Sequence, residues 1–155
     1  MYAYVNVNEY EYERGLERWA ATEPSRVFLA ERDCSGGWRR ITFEETARAA
    51  KAVAQSLLDR GLGPDRPLLV LSENGIDHGL MALGAMHVGV PVVPVSTPYA
   101  RVSQDFAKLR YIFDLIKPGM IYVDEADRYA KALDAIGAKS VEVVASRGSL
   151  GATRV

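Results

Sequence analysis

The period of the hydrophobic positions changes several times along this chain, and each change marks an element. Between Glu9 and Ala21, Tyr12, Leu16, Trp19 and Ala20 recur at three- and four-residue steps, which predicts an amphipathic helix. "RVFLAER", Arg26 to Arg32, is an apolar run of strand length. Ser35-Gly36-Gly37 then supplies a turn, and "WRRI" returns as its hairpin partner. Thr42 followed by Glu45 has the spacing of a capping box, in which each side chain accepts one orphan N–H of a helix start. Ala47, Ala50, Ala54 and Leu57 continue that helix to a stop at Gly61.

Beyond "GLGPDRP" the pattern becomes repetitive. "LLVLS", Leu68 to Ser72, is uninterrupted apolar sequence, as a strand covered on both faces requires. Asn74 is placed to cap a helix whose Ile76, Leu80, Leu83 and His87 share a face, with Gly79 and Gly84 permitting close helix contact. "VPVVPVS", Val90 to Ser96, reads as the next strand. Pro94 has no N–H to give a ladder, so it belongs at an edge or a strand end. Val102, Phe106, Leu109, Phe113 and Ile116 mark a further helix closed by Pro118-Gly119. "MIYV" is a strand, Asp124 is placed to cap a helix bearing Tyr129, Leu133 and Ile136, and "VEVVAS" is the last strand. Strands and helices in this succession predict an α/β fold: a doubly wound, mostly parallel sheet flanked by helices.

A chain of 155 residues suits one domain that buries roughly 70% of its unfolded surface. Nineteen basic residues against 20 acidic ones argue against a nucleic-acid partner, which needs a basic surplus. The longest apolar run is too short to span a membrane, and the N-terminus has no basic region ahead of an apolar core. Cys34 is the only cysteine, which excludes an internal disulfide and a multi-cysteine metal site. These features together suggest a cytoplasmic protein.

Candidate chemistry is sparse. Neither a G-x-x-x-x-G-K-[ST] loop nor a G-x-G-x-x-G turn is present, and the glycines of "SRGSLGATRV" lack a following lysine and a strand-to-helix frame. His78 and His87, nine positions apart on one helix, lie roughly 13 Å apart along its axis, too far to share a metal. Ser72, Ser96 and Thr97 fall at strand ends, where open α/β sheets bind ligands, but no base is in evident sequence reach of them. Asp124 and Glu125 lack the earlier acids and later lysine of a phosphorylated receiver, since Glu31 and Asp33 substitute poorly; capping explains Asp124 better.

The order of two longer motifs resembles a known family. "ITFEET" is similar to the first core motif of the AMP-forming acyl-CoA synthetases, and "GAMHVGVPVVPVSTPYA" to the second. "KLRYIFDLIKPGMIYVDEADRYAKAL" continues the likeness, which covers about Glu13 to Ala145, and "LERWAATEPSRVFLAERD" is most similar to feruloyl-CoA synthetases. The resemblance implies a two-step reaction. A carboxylic acid, here an aromatic one such as a hydroxycinnamate, takes AMP from ATP with Mg²⁺ present, and coenzyme A then displaces the AMP. In the family the phosphate loop, the metal-holding acid, the ribose aspartate and the catalytic lysine all lie further along. The resemblance therefore implies that residues 9–155 are a partial N-terminal domain, inactive by itself and with no cofactor bound, while residues 1–8 match nothing. By the same resemblance Ser96, Thr97 and Arg128 fall on the coenzyme A side. A stand-alone α/β binding or regulatory module is the alternative. Faces left open by a partial domain predict a homo-oligomer, through an edge near Tyr2 to Val7.

Overall fold

The computed structural model describes residues 9–33 and 35–148, with side chains from Gly15 onward. The element order is α1 (Glu9–Thr22), β1 (Val27–Arg32), β2 (Trp38–Thr42), α2 (Phe43–Asp59), β3 (Leu68–Leu71), α3 (Ile76–His87), β4 (Val92–Pro94), α4 (Thr97–Arg101), α5 (Ala107–Ile116), β5 (Met120–Glu125), α6 (Ala126–Ala135) and β6 (Glu142–Arg147). The first two strands form an antiparallel hairpin, and the other four form a parallel sheet in the order β4-β3-β5-β6. The predicted doubly wound α/β architecture is the one observed.

Period-two alternation divides the core between the two faces of that sheet. Leu69, Leu71, Ile121, Val123 and Val143 pack on one side with Leu109, Tyr129 and Leu133 of the later helices. Leu68, Val70, Met120 and Tyr122 pack on the other with Leu57 of α2 and Ala85 of α3. All four residues of β3 are fully buried, because this strand has a neighbour on each side and helices on each face. Burial on this scale, at about 25 cal/mol per Å² of apolar surface, drives the assembly.

Two sequence features set helix geometry as expected. Thr42 Oγ1 accepts the Glu45 N–H at 3.3 Å, Glu45 Oε2 accepts the Thr42 N–H at 2.9 Å, and α2 begins there. At Gly84 a Cβ would stand 2.5 Å from Val53 Cγ1 and 2.9 Å from the Ala50 carbonyl, so α2 and α3 touch where only glycine fits.

Pro94 lies on the edge strand. The Leu68 N–H donates to Pro91 O and the Val95 N–H donates to Val70 O, so alternation turns the Pro94 nitrogen outward, away from β3.

Several local readings are corrected. The strand predicted over Val90 to Ser96 narrows to Val92–Pro94. Asn74 does not cap α3; Gly75 holds that position without a side-chain bond. Asp124 does not cap α6, because β5 runs on through Glu125 in register with Arg147 of β6. The helix predicted from Val102 starts only at Ala107. Ser103 Oγ accepts the Phe106 N–H and Asp105 Oδ1 accepts the Ala107 N–H, which ties up the first turn locally. Val102 is consequently 76% exposed, and Phe106 takes a left-handed backbone at φ 53°. The proposed edge at Tyr2 to Val7 lies outside the described residues.

Candidate functional site

The chain leaves β3 toward β4 on one side, then crosses back to place β5 on the other. The carboxyl ends of β3 and β5 therefore flank the point where the strand order reverses, the position at which open α/β sheets hold ligands. A cavity of about 590 Å³ opens there. Its walls come from the ends of β1, β3, β5 and β6, the start of α3 and the first turn of α6.

Charge pairing shapes the wall nearest the hairpin. Arg39 donates through one terminal nitrogen to Glu31 at 2.9 Å and through the other to Asp77 at 2.8 Å. The second oxygen of Glu31 accepts the Ile76 N–H at 2.7 Å, so a hairpin carboxylate occupies the N-terminus of α3, where the helix dipole favours it. Burial alone pushes the Asp77 carboxyl up. The hydrogen bonds from Arg39 and Ser146, with the charges of Arg39 and Arg147, outweigh it and hold the group below the usual aspartate range.

The opposite wall is less satisfied. Arg128 donates through Nε to Glu125 at 2.9 Å, and Arg147 stands 3.7 Å from the same carboxylate oxygen, so two guanidinium groups share one acid. Asp124 Oδ1 is buried and has no hydrogen-bond partner. Tyr129 Oη, also buried, lacks a partner too. Burial and the neighbouring Asp124 carboxylate push the Tyr129 phenol far above its ordinary value, so it is a neutral hydroxyl. Tyr122 Oη bonds Ser146 Oγ at 2.8 Å, and the Tyr122 phenol is raised by burial although that bond lowers it.

A serine and a histidine meet at the end of β3, which sequence spacing did not reveal. Ser72 Oγ lies 2.8 Å from His78 Nδ1, with the Glu73 carbonyl 3.4 Å from the same nitrogen. Ser72 is only 6% exposed, and of the pair only His78 lines the cavity, so the serine is placed as a partner for the imidazole and not as a nucleophile.

Of the residues expected on the coenzyme side, Arg128 lines this cavity. Ser96 and Thr97 stand at the end of β4, where Thr97 opens α4, and they do not contribute to its wall. His87 ends α3, and no cluster of three or more His, Cys, Asp or Glu side chains suited to a metal occurs among the described residues. No helix among the described residues is long and apolar enough to cross a membrane.

Parallel topology and a switch-point cavity edged by arginines define an open α/β domain of the kind that holds ligands at its strand ends. The chain belongs to the AMP-binding enzyme family, whose model matches residues 16–149. The PKS-NRPS hybrid synthetase psoA of Aspergillus fumigatus is 33% identical over 79 residues, which is 51% of this chain and 2% of that protein. Among solved structures, an acyl-CoA synthetase of Brucella canis superposes with a TM-score of 0.72 at 16% identity, covering 90% of this chain and 24% of that one. A benzoate CoA ligase of Burkholderia xenovorans LB400 gives 0.69 at 18% identity, covering 86% and 25%. At such identities the likeness is one of fold, and the chain spans about a quarter of the length of either structure.

Proposed function

We propose that this chain is the N-terminal part of an AMP-forming acid–thiol ligase, with residues 9–155 forming the front of a larger catalytic domain. The observation that carries the reading is the switch-point cavity, bordered by Arg128, in a chain of the AMP-binding family. In the whole protein a carboxylate oxygen attacks the α-phosphate of ATP and displaces pyrophosphate, with Mg²⁺ offsetting phosphate charge, and the coenzyme A thiol then displaces AMP to leave the thioester. The acid is aromatic, of hydroxycinnamate type. The feruloyl-CoA synthetase-like wording of residues 16–33 supports this.

The residues here suit the nucleotide end of coenzyme A. Arg128, with Arg147 beside it, offers guanidinium donors to phosphate oxygens. Ser96 and Thr97, at the end of β4 on the far side of β3, contact the same coenzyme further along. What these side chains supply is position and charge, not bond-making.

ATP–pyrophosphate exchange tests the division of labour. This chain alone should show no exchange above background with ferulate or benzoate, and clear turnover would overturn the reading. Joined to the catalytic remainder, it should exchange faster with hydroxycinnamates than with straight-chain acids. The reverse order would remove the aromatic assignment.

A further inference from the structure

His78 lies in the first turn of α3 and lines the switch-point cavity. Its two ring nitrogens are in different situations. Nδ1 stands 2.8 Å from Oγ of Ser72, which is buried at the end of β3. Nε2, on the far side of the ring, makes no hydrogen bond or ion pair among the described residues. The buried side-chain nitrogens and oxygens without a partner among those residues are Asp124 Oδ1 and Tyr129 Oη, so Nε2 is unpartnered yet accessible. Ser72 thus holds the imidazole by its inner edge and leaves the outer nitrogen for a ligand. Charge decides which group can meet it. Glu73 and Asp77, the acids nearest His78 along the chain, are each paired already, with Arg101 and Arg39. This side of the cavity therefore has no surplus positive charge for a phosphate, whereas Arg128 and Arg147 share the single acid Glu125. A hydroxyl both donates and accepts, so it can bond Nε2 whichever ring nitrogen carries the proton.

We infer that His78 Nε2 is a specificity contact of this cavity, bonding a ribose hydroxyl of a ligand whose phosphate lies on Arg128 and Arg147, with Ser72 as the positioning residue. The inference rests on the coenzyme reading above, in which the nucleotide end of coenzyme A enters this cavity. The ribose of that nucleotide carries a phosphate on its 3′ oxygen and one free hydroxyl, at the 2′ carbon, and the 2′ hydroxyl is the group assigned to His78.

Calorimetric titration of this chain joined to the catalytic remainder tests it, with coenzyme A, its 2′-deoxy analogue and dephospho-coenzyme A as ligands. His78→Asn keeps a polar atom where Nδ1 stands, so Ser72 retains a partner, and removes Nε2. It should weaken coenzyme A roughly three- to tenfold, as loss of one neutral hydrogen bond implies. The 2′-deoxy analogue should bind the parent as weakly as coenzyme A binds this variant, and the variant should not distinguish the two. His78→Gln, whose amide reaches the place of Nε2, should recover part of the preference for the hydroxyl. Ser72→Ala should reduce that preference without any contact to the ligand, a change that lost stability alone does not produce. Removal of the 3′-phosphate should cost the parent and His78→Asn the same factor. Equal affinity of parent and His78→Asn for coenzyme A, an undiminished preference for the 2′ hydroxyl in that variant, or a loss that follows the 3′-phosphate instead would each overturn the inference. Arg128→Ala separates the two claims. If it leaves the affinity for coenzyme A unchanged, the coenzyme reading fails and this inference with it; if it weakens coenzyme A and His78→Asn does not, only the histidine contact fails.

Discussion

The Ile76 N–H donates to Glu31 Oε2 at 2.7 Å, joining a hairpin strand to the first turn of a helix 45 positions later. The approach is close enough that a Cβ on Gly75 would sit 2.7 Å from the same oxygen. This contact and the Arg39 fork fix the hairpin against the parallel sheet and close one side of the switch-point cavity.

Glu31→Ala removes both the helix-end acceptor and one arm of Arg39. It should lower unfolding stability by about 1.5–3 kcal/mol, the range for a hydrogen bond to a charged group. Urea denaturation reads the difference. An unchanged midpoint would show that the hairpin docks by other means.

Acid sensitivity should report Asp77. Its folded carboxyl lies below the unfolded value, so the stability it contributes is complete above the unfolded pKa. That contribution is lost as pH falls through the folded pKa, so the window lies below about pH 3.9. Asp77→Asn should therefore be less stable than the parent at neutral pH and lose less on acidification. Parallel stability curves for parent and variant down to pH 2.5 would contradict this.

Helix contact at Gly84 gives a packing prediction. Gly84→Ala places a methyl group against Val53 and the Ala50 carbonyl, and overpacking of this kind costs about 1–3 kcal/mol. Thermal unfolding should show the loss. A neutral outcome would mean that α2 and α3 slide apart freely.

Pro94 blunts an open sheet edge, while Tyr111 and Leu115 of α5 are 69% and 66% exposed. Pro94→Thr restores an outward N–H and should raise self-association. Light scattering across concentration should show a larger mass for the variant than for the parent. Equal masses would assign the edge no part in association.

Much of the fold was legible because its signals are local. Leu68 to Leu71 announces a two-sided strand by being wholly apolar, and Thr42 with Glu45 announces a helix start by spacing alone. Errors arose where two readings used the same residues. Asp124 has the chemistry of a cap, yet pairing with β6 carries β5 past it. Val102 continues the apolar stripe of α5, yet Ser103 and Asp105 bind the backbone before the helix begins. Of the three residues expected on the coenzyme side, only Arg128 lines the cavity. The Arg39–Asp77 pair joins residues 38 positions apart, and Ser72 meets His78 across a strand-to-helix turn whose path no spacing rule supplies.

Titration of coenzyme A into this chain joined to the catalytic remainder, with and without Arg128→Ala, tests the central claim most directly. The expected result is saturable binding by the parent, weakened about tenfold by the substitution, with both proteins equally stable without ligand. Absence of binding by the parent, or equal affinity in the two proteins, would contradict placement of the coenzyme's nucleotide at the end of β5.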